Sequence, residues 1–255
     1  MMWSAIGCSV AGTSHMAGGK GCEDAILYWI ATDADGDNVL LCCISDGAGS
    51  AQYAAAASAF TVATAVDELA KLATYPEDIT EADLFAIAET IYAGLTVQAE
   101  EQGVPANEYS CTMLGCLVAK NRAAFFQIGD GAIVRNDGSG FYTAVWWPHN
   151  GEYQNSTAFV IDDAAFSHLN VLLLDEPVGE VALFTDGLQM LALNMEGYNA
   201  HQPFFADLFR FLKLATDDEK TSILNRKLEE YLNSPKINER TDDDKTLFLA
   251  TRITP

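Results

Sequence analysis

Short apolar runs open the chain, and their length and composition predict β-strands. Runs rich in Val, Ile, Leu and aromatic residues and bounded by turn residues are typical of strands. They lie at Ser4–Val10, Ala25–Thr32 and Asn38–Ile44. The polar stretch Asp33-Ala34-Asp35-Gly36-Asp37 predicts a tight turn between the second and third strands.

Two long helical segments follow these strands. Ser50–Ala73 is rich in alanine, which has the highest helix propensity. In Thr80–Gln102 the apolar residues recur at steps of three and four, as on one face of a helix. Thr80 followed by Asp83 predicts an approximate capping box at its start, and Gly103 predicts its end.

The second half of the chain returns to strands and ends with helices and one more strand. Predicted strands are Cys111–Ala119, Ala123–Ile128, Ala132–Asn136, Phe141–Val145, Val171–Leu174, Glu180–Phe184 and Thr246–Ile253. Hairpin-type turns between several of them favour antiparallel neighbours. Trp146–Ser156 is predicted to be a loop, and helices are expected near His201–Leu214 and Asp218–Leu232.

This order of elements predicts an α+β fold. Strands and helices are segregated along the chain, which argues against a doubly wound sheet. Two antiparallel sheets that face each other, with helices on the outer faces, accommodate the order. No Pro- or Ser-rich linker, internal repeat or shift in composition is present, so residues 1–255 are expected to form a single domain.

The net charge narrows the range of partners. The 255 residues contain 36 Asp and Glu against 14 Lys and Arg, a formal net charge of −22. Such a surface repels nucleic-acid backbones and anionic membranes. No apolar run reaches the roughly 18 residues that span a bilayer, and the start lacks the basic region of a secretory signal. We therefore expect a cytoplasmic protein.

The cysteines and histidines do not suggest a zinc site. The 6 cysteines contain no C-x-x-C pair, and the 4 histidines are scattered. Most cysteines have apolar neighbours, as in Leu40-Leu41-Cys42-Cys43-Ile44, which predicts buried, reduced thiols.

Carboxylates at the ends of apolar strands are the candidates for chemistry. They fall in Glu23-Asp24, Ser45-Asp46-Gly47, Thr185-Asp186-Gly187 and Asp242-Asp243-Asp244. Converging carboxylates without nearby Lys or Arg repel one another unless a divalent cation compensates them. An all-oxygen ligand set suits Mg²⁺ or Mn²⁺ better than zinc. A single Asp-Gly is weak evidence, because a turn after a strand explains it equally well.

Taken together and in order, these segments resemble the metal-dependent protein phosphatases (the PPM or type 2C family), in particular the compact bacterial branch. The resemblance covers nearly the whole chain and implies an α–β–β–α four-layer sandwich. Its landmarks are Ser9–His15, Cys22–Ala25, Ser45–Gly49, Ser110–Leu114, Gln127–Gly131, Gly151–Thr157, Phe184–Leu188 and Asp243–Thr246.

The resemblance also implies roles for the carboxylates. Asp46 would bridge two metal ions, and the Gly47 carbonyl and Glu23 would bind the second ion, whose water ligands Asp24 would hold. Asp186 and Asp243 would complete the first site; Asp243 matches better than Asp244, since the family ligand lies three residues before the Thr that opens the last strand. A water between two Mn²⁺ or Mg²⁺ ions would attack the phosphorus of phosphoserine or phosphothreonine.

Three positions depart from the family pattern. Gly19 stands where the family has an arginine that binds the substrate phosphate, so Lys20 or His15 would have to take that role. Ala48 stands where animal members have a histidine proposed as general acid, which leaves water or His15 to protonate the leaving group. Asn107 stands where an aspartate would serve a third metal.

The sequence thus predicts a Mn²⁺/Mg²⁺-dependent protein serine/threonine phosphatase, a monomer that acts on phosphorylated proteins and works with a partner Ser/Thr kinase. Two alternatives remain open. One is a catalytically weak phosphatase-like domain that binds or regulates a phosphorylated partner, suggested by Gly19, Ala48 and Asn107. The other is a metal-dependent hydrolase of small phosphorylated metabolites.

Overall fold

A computed structural model describes residues 2–136, 139–148 and 157–253. The chain divides into two compact units, each with its own core. Unit 1 comprises residues 1–22, 131–148 and 178–255, and unit 2 comprises residues 23–130 and 149–177. Most of the Gly151–Thr157 landmark, and much of the predicted loop at Trp146–Ser156, lie outside the described residues.

Unit 2 is built on a five-stranded sheet in which every neighbouring pair is antiparallel. The strand order is β2-β3-β4-β5-β8: the first four strands follow one another in the chain, and two strands of the other sheet intervene before the fifth. Gly36, at a φ of 85°, lies in the turn that joins the first two of these strands. The strands are β2 (Ala25–Thr32), β3 (Asn38–Ser45), β4 (Met113–Val118), β5 (Ala123–Ile128) and β8 (Asn170–Leu174).

Two long helices, α2 (Ala54–Leu72) and α3 (Glu81–Gln102), flank this sheet. Helix α2 begins at Ala54, four residues later than the predicted Ser50, and buries small residues that allow close packing. A Cβ at Gly94 would lie 2.2 Å from the ring of Phe60, which shows how closely α3 approaches α2. Short 3₁₀ helices at Pro76–Asp78, Ala106–Tyr109 and Ala165–Ser167 join the elements of this unit.

Unit 1 is built on a second antiparallel sheet of five strands, in the order β1-β12-β9-β6-β7. Its strands are β1 (Met2–Val10), β6 (Ala132–Asn136), β7 (Tyr142–Ala144), β9 (Glu180–Phe184) and β12 (Lys245–Ile253). The N-terminal and C-terminal strands are therefore hydrogen-bonded neighbours. Residues far apart in sequence meet at one end of this sheet as a result.

Helices α5 (Gln202–Leu212) and α6 (Asp218–Leu232) lie against β1 and β12 and close the core of unit 1. Phe184, Phe205 and Phe209 are almost completely buried there. The unit also contains short elements that hydrophobic periodicity did not predict. They are α1 (Thr13–Ala17), a 3₁₀ turn at Asp186–Leu188, α4 (Gln189–Ala192), the two-residue strands β10 (Leu193–Asn194) and β11 (Asn199–Ala200), and α7 (Pro235–Asn238).

The predicted fold class is confirmed, since the chain forms two antiparallel sheets flanked by helices. A single domain over residues 1–255 stays a prediction. Among the described residues, no helix combines the length and the apolar composition needed to cross a bilayer.

Candidate functional site

The first group of predicted site residues lies at one end of the β2–β3 hairpin in unit 2. Glu23 and Asp24 directly precede β2, and Asp46 directly follows β3. Because Ala25 pairs with Ser45 in this antiparallel register, the residues on either side reach the same end of the sheet. We call Glu23, Asp24, Asp46 and Gly47 the unit 2 cluster.

Hydrogen bonds with Thr112 fix the backbone of Asp46 in place. The Asp46 N–H donates to the Thr112 hydroxyl at 2.9 Å, and the Thr112 N–H donates to the Asp46 carbonyl at 2.8 Å. The Ser45 hydroxyl adds a bond to the Thr112 carbonyl at 2.5 Å. These bonds fix the Asp46 backbone directly after the strand, and the residue is half-buried.

Gly47 is required by close packing. A Cβ at this position would lie 2.6 Å from the Ala54 carbonyl oxygen and 2.7 Å from that of Glu23. The Glu23 carbonyl also accepts a hydrogen bond of 2.5 Å from the Ser58 hydroxyl of α2. These contacts hold the Glu23 backbone against Gly47, and Glu23 and Asp24 are each 8% exposed.

Cys111 forms an isolated β-bridge with Gly47, but its thiol is not suited to act as a nucleophile. Burial raises the pKa of Cys111 to about 11, although a hydrogen bond from Thr61 partly opposes this. A thiol with such a pKa stays protonated and unreactive at neutral pH.

The second group of site residues lies at one end of the sheet in unit 1. Phe184 pairs with Leu247 and Val10 pairs with Lys245, so the end of β9, the end of β1 and the start of β12 coincide. Asp186 follows β9, His15 lies in α1 after β1, and the aspartates 243 and 244 precede β12. We call His15, Asp186, Gly187, Asp243 and Asp244 the unit 1 cluster.

Hydrogen bonds and close backbone contacts join the turn after β1 to the run of aspartates before β12. The Ser14 N–H and hydroxyl both donate to the Asp242 carbonyl, at 3.0 and 2.7 Å. A Cβ at Gly12 would lie 2.3 Å from this same carbonyl oxygen, and one at Gly187 would lie 2.0 Å from the Asp244 carbonyl oxygen. Only glycine fits at these two close approaches between backbone segments.

Asp243 and Asp244 differ sharply in their surroundings. Asp243 is exposed, and its Oδ1 accepts the Asp244 N–H at 2.9 Å. Asp244 is 3% exposed; its Oδ1 accepts the Gly12 N–H at 2.6 Å, and its Oδ2 lies 2.9 Å from His15 Nδ1. The contact between His15 and Asp244 was not predicted from the sequence, in which the run of aspartates before β12 indicates only that acidic groups lie there.

Lys20 and Gly19 lie in the turn that follows α1. The Lys20 N–H donates to the His15 carbonyl at 2.9 Å, which folds the turn back on the helix. Gly19 has a φ of 73°, in the left-handed region that favours glycine. An arginine side chain at this position would therefore impose backbone strain.

Ala48 and Asn107, two of the positions that depart from the family pattern, carry no carboxylate. Ala48 is buried in a small apolar cluster with Ala51 and Ala54. The carbonyl of Asn107 accepts the Ser110 hydroxyl at 2.8 Å within a turn of unit 2. In the same unit, the Thr157 hydroxyl donates to Asp130 Oδ2 at 2.5 Å.

The chemistry of the donors fits a hard divalent cation. The proposed ligands are carboxylate and carbonyl oxygens, which Mg²⁺ and Mn²⁺ prefer. Gly47 and Gly187 are close-packed positions at which a side chain would displace the neighbouring backbone of the clusters. Within residues 2–136, 139–148 and 157–253, no three His, Cys, Asp or Glu side chains form a group able to hold a metal ion.

Comparisons with known proteins agree with this fold. A family model described as protein phosphatase 2C matches residues 11–233. The chain is 35% identical over 251 residues to serine/threonine-protein phosphatase 3 of Escherichia coli K12, covering 98% of each. The chain belongs to the protein phosphatase 2C family, and its activity is that of a protein serine/threonine phosphatase.

Solved structures show the same fold. The Stp1 phosphatase of Staphylococcus aureus superposes with a TM-score of 0.61 at 17% identity, covering 99% of this chain and 96% of that one. PppA of Pseudomonas aeruginosa, described as a key regulatory component of the type VI secretion system, matches with a TM-score of 0.61 at 17% identity, covering 98% of both chains.

Proposed function

We propose that the chain hydrolyses phosphoserine and phosphothreonine in proteins with a water molecule activated by two Mn²⁺ or Mg²⁺ ions. The observation that carries the proposal is the placement of acidic residues at strand ends, in a chain that belongs to a metal-dependent phosphatase family. The reaction adds water across the P–O bond, so that phosphate and a free serine or threonine hydroxyl are the products.

The metal ligands in this proposal come from both clusters. Glu23, Asp46 and the Gly47 carbonyl belong to the unit 2 cluster, and Asp186 and Asp243 belong to the unit 1 cluster; Asp24 would accept hydrogen bonds from the water that accompanies a bound ion. The exposed carboxylate of Asp243 supports its choice over Asp244, whose two oxygens already contact Gly12 and His15. Bound divalent ions supply an acidified water and neutralise charge on the phosphoryl oxygens.

His15 and Lys20 serve the substrate in this proposal. Both are carried by the turn after β1 and are linked by a backbone hydrogen bond. Lys20 attracts the phosphate as a point charge, without the planar fork of an arginine. His15 contacts the phosphoryl group or its leaving oxygen, a role that Ala48 cannot take.

Substitution of single ligands tests the proposal. Asp46→Asn and Asp186→Asn should each lower Mn²⁺-dependent hydrolysis of a phosphothreonine peptide by at least about 100-fold, because each removes a charged ligand. Asp35→Asn, an exposed aspartate in the β2–β3 turn, is the matched control and should keep full activity. Treatment with EDTA should abolish turnover, and Mn²⁺ should restore it.

The result that contradicts the proposal is equally specific. If folded wild-type protein turns over no phosphopeptide in saturating Mn²⁺, the result would instead support a phosphatase-like domain that only binds a phosphorylated partner. The departures from the family pattern at Gly19 and Ala48 favour that alternative. Calorimetry separates the two, since a binding domain holds the phosphopeptide without releasing phosphate. A strong preference for small phosphorylated metabolites over peptides would favour the metabolite hydrolase.

The proposal also covers the location, the oligomeric state and the partner of the protein. We place it in the cytoplasm as a monomer that opposes a partner Ser/Thr kinase on shared protein substrates. Light scattering coupled to gel filtration checks the monomer, and cell fractionation checks the location.

A further inference from the structure

Helices α5 and α6 leave an apolar groove between them above strands β1 and β12. Its cavity has a volume of about 440 Å³. The floor is formed by Ile6 of β1 and Leu249 of β12, a cross-strand pair of residues that are 2% and 0% exposed. The groove therefore opens directly onto the core of unit 1.

The two helices line this groove with matching apolar stripes. On each helix the lining residues are spaced by four and then three positions, which places them on one face. They are Phe204, Leu208 and Phe211 on α5, and Leu224, Leu228 and Tyr231 on α6. Helices in direct contact bury such stripes against each other. Here the stripes border a cavity, so apolar surface is left for a partner.

A second cavity, of about 600 Å³, continues the groove toward α7. It shares Phe204, Tyr231 and Lys236 with the first cavity and adds Met190, which is 73% exposed. We call the two cavities together the α5–α6 groove. Two adjoining cavities suit a peptide segment that carries large apolar side chains at more than one position.

Basic residues are concentrated around this groove. Residues 210–240 hold 7 of the 14 Lys and Arg residues of the chain but only 6 of its 36 Asp and Glu residues. This part of the chain therefore has no net negative charge, whereas the rest does and repels acidic proteins. An acidic partner is least opposed here.

The cations in the groove itself are available for pairing. Lys227, Lys236 and Arg240 line it and are exposed. Within the described part of the chain, none of these three side chains forms an ion pair. Asp207, the one carboxylate among the described lining residues, lies 3.2 Å from Arg210 and is thereby compensated. Carboxylates of a partner would therefore meet unpaired positive charge.

We propose that the α5–α6 groove docks a short acidic segment of a partner protein. Large apolar side chains of the segment enter the two cavities, and its carboxylates pair with Lys227, Lys236 and Arg240. Apolar anchors in a groove supply affinity, and opposite charges around it select the partner.

The groove is separate from the unit 1 cluster. Its floor pair Ile6–Leu249 lies four positions along the strands from the pair Val10–Lys245, next to which the cluster begins. At about 3.3 Å per residue this separation is about 13 Å. A docked segment therefore leaves the cluster uncovered, and the proposal does not depend on the proposed function.

The probe is selected from a library of random 12-residue peptides displayed on phage, with the full chain as bait and without metal. We expect the enriched peptides to carry a net negative charge and at least two large apolar residues. Fluorescence anisotropy then measures the affinity of one enriched peptide for each variant. A library that yields no binder, or only basic or uncharged binders, would overturn the proposal.

Charge reversal tests the role of the lysines. Lys227→Glu and Lys236→Glu should each weaken binding of the peptide by at least about fivefold, because repulsion replaces an ion pair. Arg226→Glu is the matched control: it changes the net charge equally, on the same helix, but lies outside the lining of the groove. It should stay within about twofold of the wild type. Equal losses in all three variants would contradict docking in the groove.

Filling the cavity tests the apolar contacts. Leu224→Trp places an indole in the groove and should weaken binding by at least about tenfold. Ile223→Trp, at the neighbouring residue outside the lining, should bind the peptide as the wild type does. Circular dichroism checks that both variants fold; should Leu224→Trp unfold, the lysine variants still decide. Unchanged affinity in folded Leu224→Trp would overturn the proposal.

Two other occupants of the groove would also overturn it. One is a second copy of this chain, detected by light scattering as a dimer that Leu224→Trp dissociates. The other is a lipid surface, detected as co-sedimentation with vesicles of phosphatidylcholine and phosphatidylglycerol that Lys227→Glu abolishes. The lysine variants should hydrolyse p-nitrophenyl phosphate at the wild-type rate, so a failure of docking and a failure of the proposed function appear in different measurements.

Discussion

Individual glycines set the positions of the acidic residues. At Gly12, Gly47 and Gly187 one backbone segment passes through the space that a Cβ would occupy. These glycines are needed for contact, since none of the three has a φ in the left-handed region. Gly12 matters most for the unit 1 cluster, because its N–H also binds Asp244.

Gly12→Ala should destabilise the protein, whereas Gly21→Ala should not. The new Cβ at residue 12 would lie 2.3 Å from the Asp242 carbonyl oxygen, while at residue 21 nothing lies within 4 Å. Overpacking of this kind costs about 1–3 kcal/mol, and a tolerated Gly→Ala change is neutral or stabilising. Urea unfolding measures both; equal stability of the two variants would show that the close approach at Gly12 is not restrictive.

The proposed ligand positions follow from the sequence, whereas their surroundings do not. Asp243 was chosen over Asp244 by its distance from Thr246, and its exposure agrees with that choice. The contact of Asp244 with Gly12 and His15 depends on the pairing of β1 with β12, two strands from opposite ends of the chain. No local pattern in the sequence encodes such a contact.

At the scale of elements, local signals gave the long helices and most strands. The capping box of α3 is an example: Asp83 accepts both the Thr80 N–H and its hydroxyl, at 2.8 and 2.6 Å. Short helices such as α1, α4 and α7 were not predicted. Helices of four or five residues are unstable alone and form only because tertiary contacts hold them.

The cap at Asp83 should make stability depend on pH. The hydrogen bonds from the Thr80 hydroxyl and N–H hold the pKa of Asp83 below the usual range of an aspartate. A depressed folded-state pKa means that the carboxylate stabilises the fold above the unfolded pKa, and that this contribution is lost as pH falls through the folded value. The stability difference between wild type and Asp83→Asn should therefore shrink as pH falls below about 4.

Urea unfolding at pH 7 and at pH values below 4 tests this, with Glu81→Gln in the same helical turn as control. The control should show only the small effect of the helix dipole. A difference between wild type and Asp83→Asn that stays constant with pH would contradict the role of the carboxylate.

The central strands β3 and β4 carry cysteines that should be inert in the folded protein. Cys42 pairs with Cys116 across these strands, and burial raises the pKa of both thiols well above the usual range. Burial also raises the pKa of Cys43 and Cys111. Deprotonation, which reaction with a thiol reagent requires, is therefore strongly disfavoured.

Labelling at pH 8 should leave these four cysteines unmodified in the native protein and modify them after unfolding in urea. Mass spectrometry of peptides locates the label. Rapid labelling of Cys42 or Cys116 without unfolding would show that the sheet opens under native conditions.

At the scale of the molecule, net charge is the dominant property. A formal charge of −22 attracts basic peptides over long distances, and salt screens this attraction with a Debye length of about 10 Å at 0.1 M. The composition alone predicts a preference for basic peptides. It does not predict the particular substrate, which depends on where individual side chains lie.

Raising NaCl from 20 to 500 mM should lower kcat/KM for a phosphopeptide flanked by Lys and Arg by about tenfold. The matched peptide with neutral flanking residues should change little. If both peptides respond equally, long-range attraction does not select the substrate.

Within the part of the chain that the structure describes, strand β1 pairs with β12 alone and forms an edge of its sheet. Removal of residues 1–22 would leave the other strands of that sheet paired but would take away His15 together with the backbone groups that bind Asp242 and Asp244. Proteolysis after residue 22 would thus inactivate the enzyme, and because α6 packs against β1 it would also uncover part of the core of unit 1. A synthetic peptide of the missing segment, added to the shortened chain, could in turn rebuild activity, which would make the N-terminal strand a detachable part.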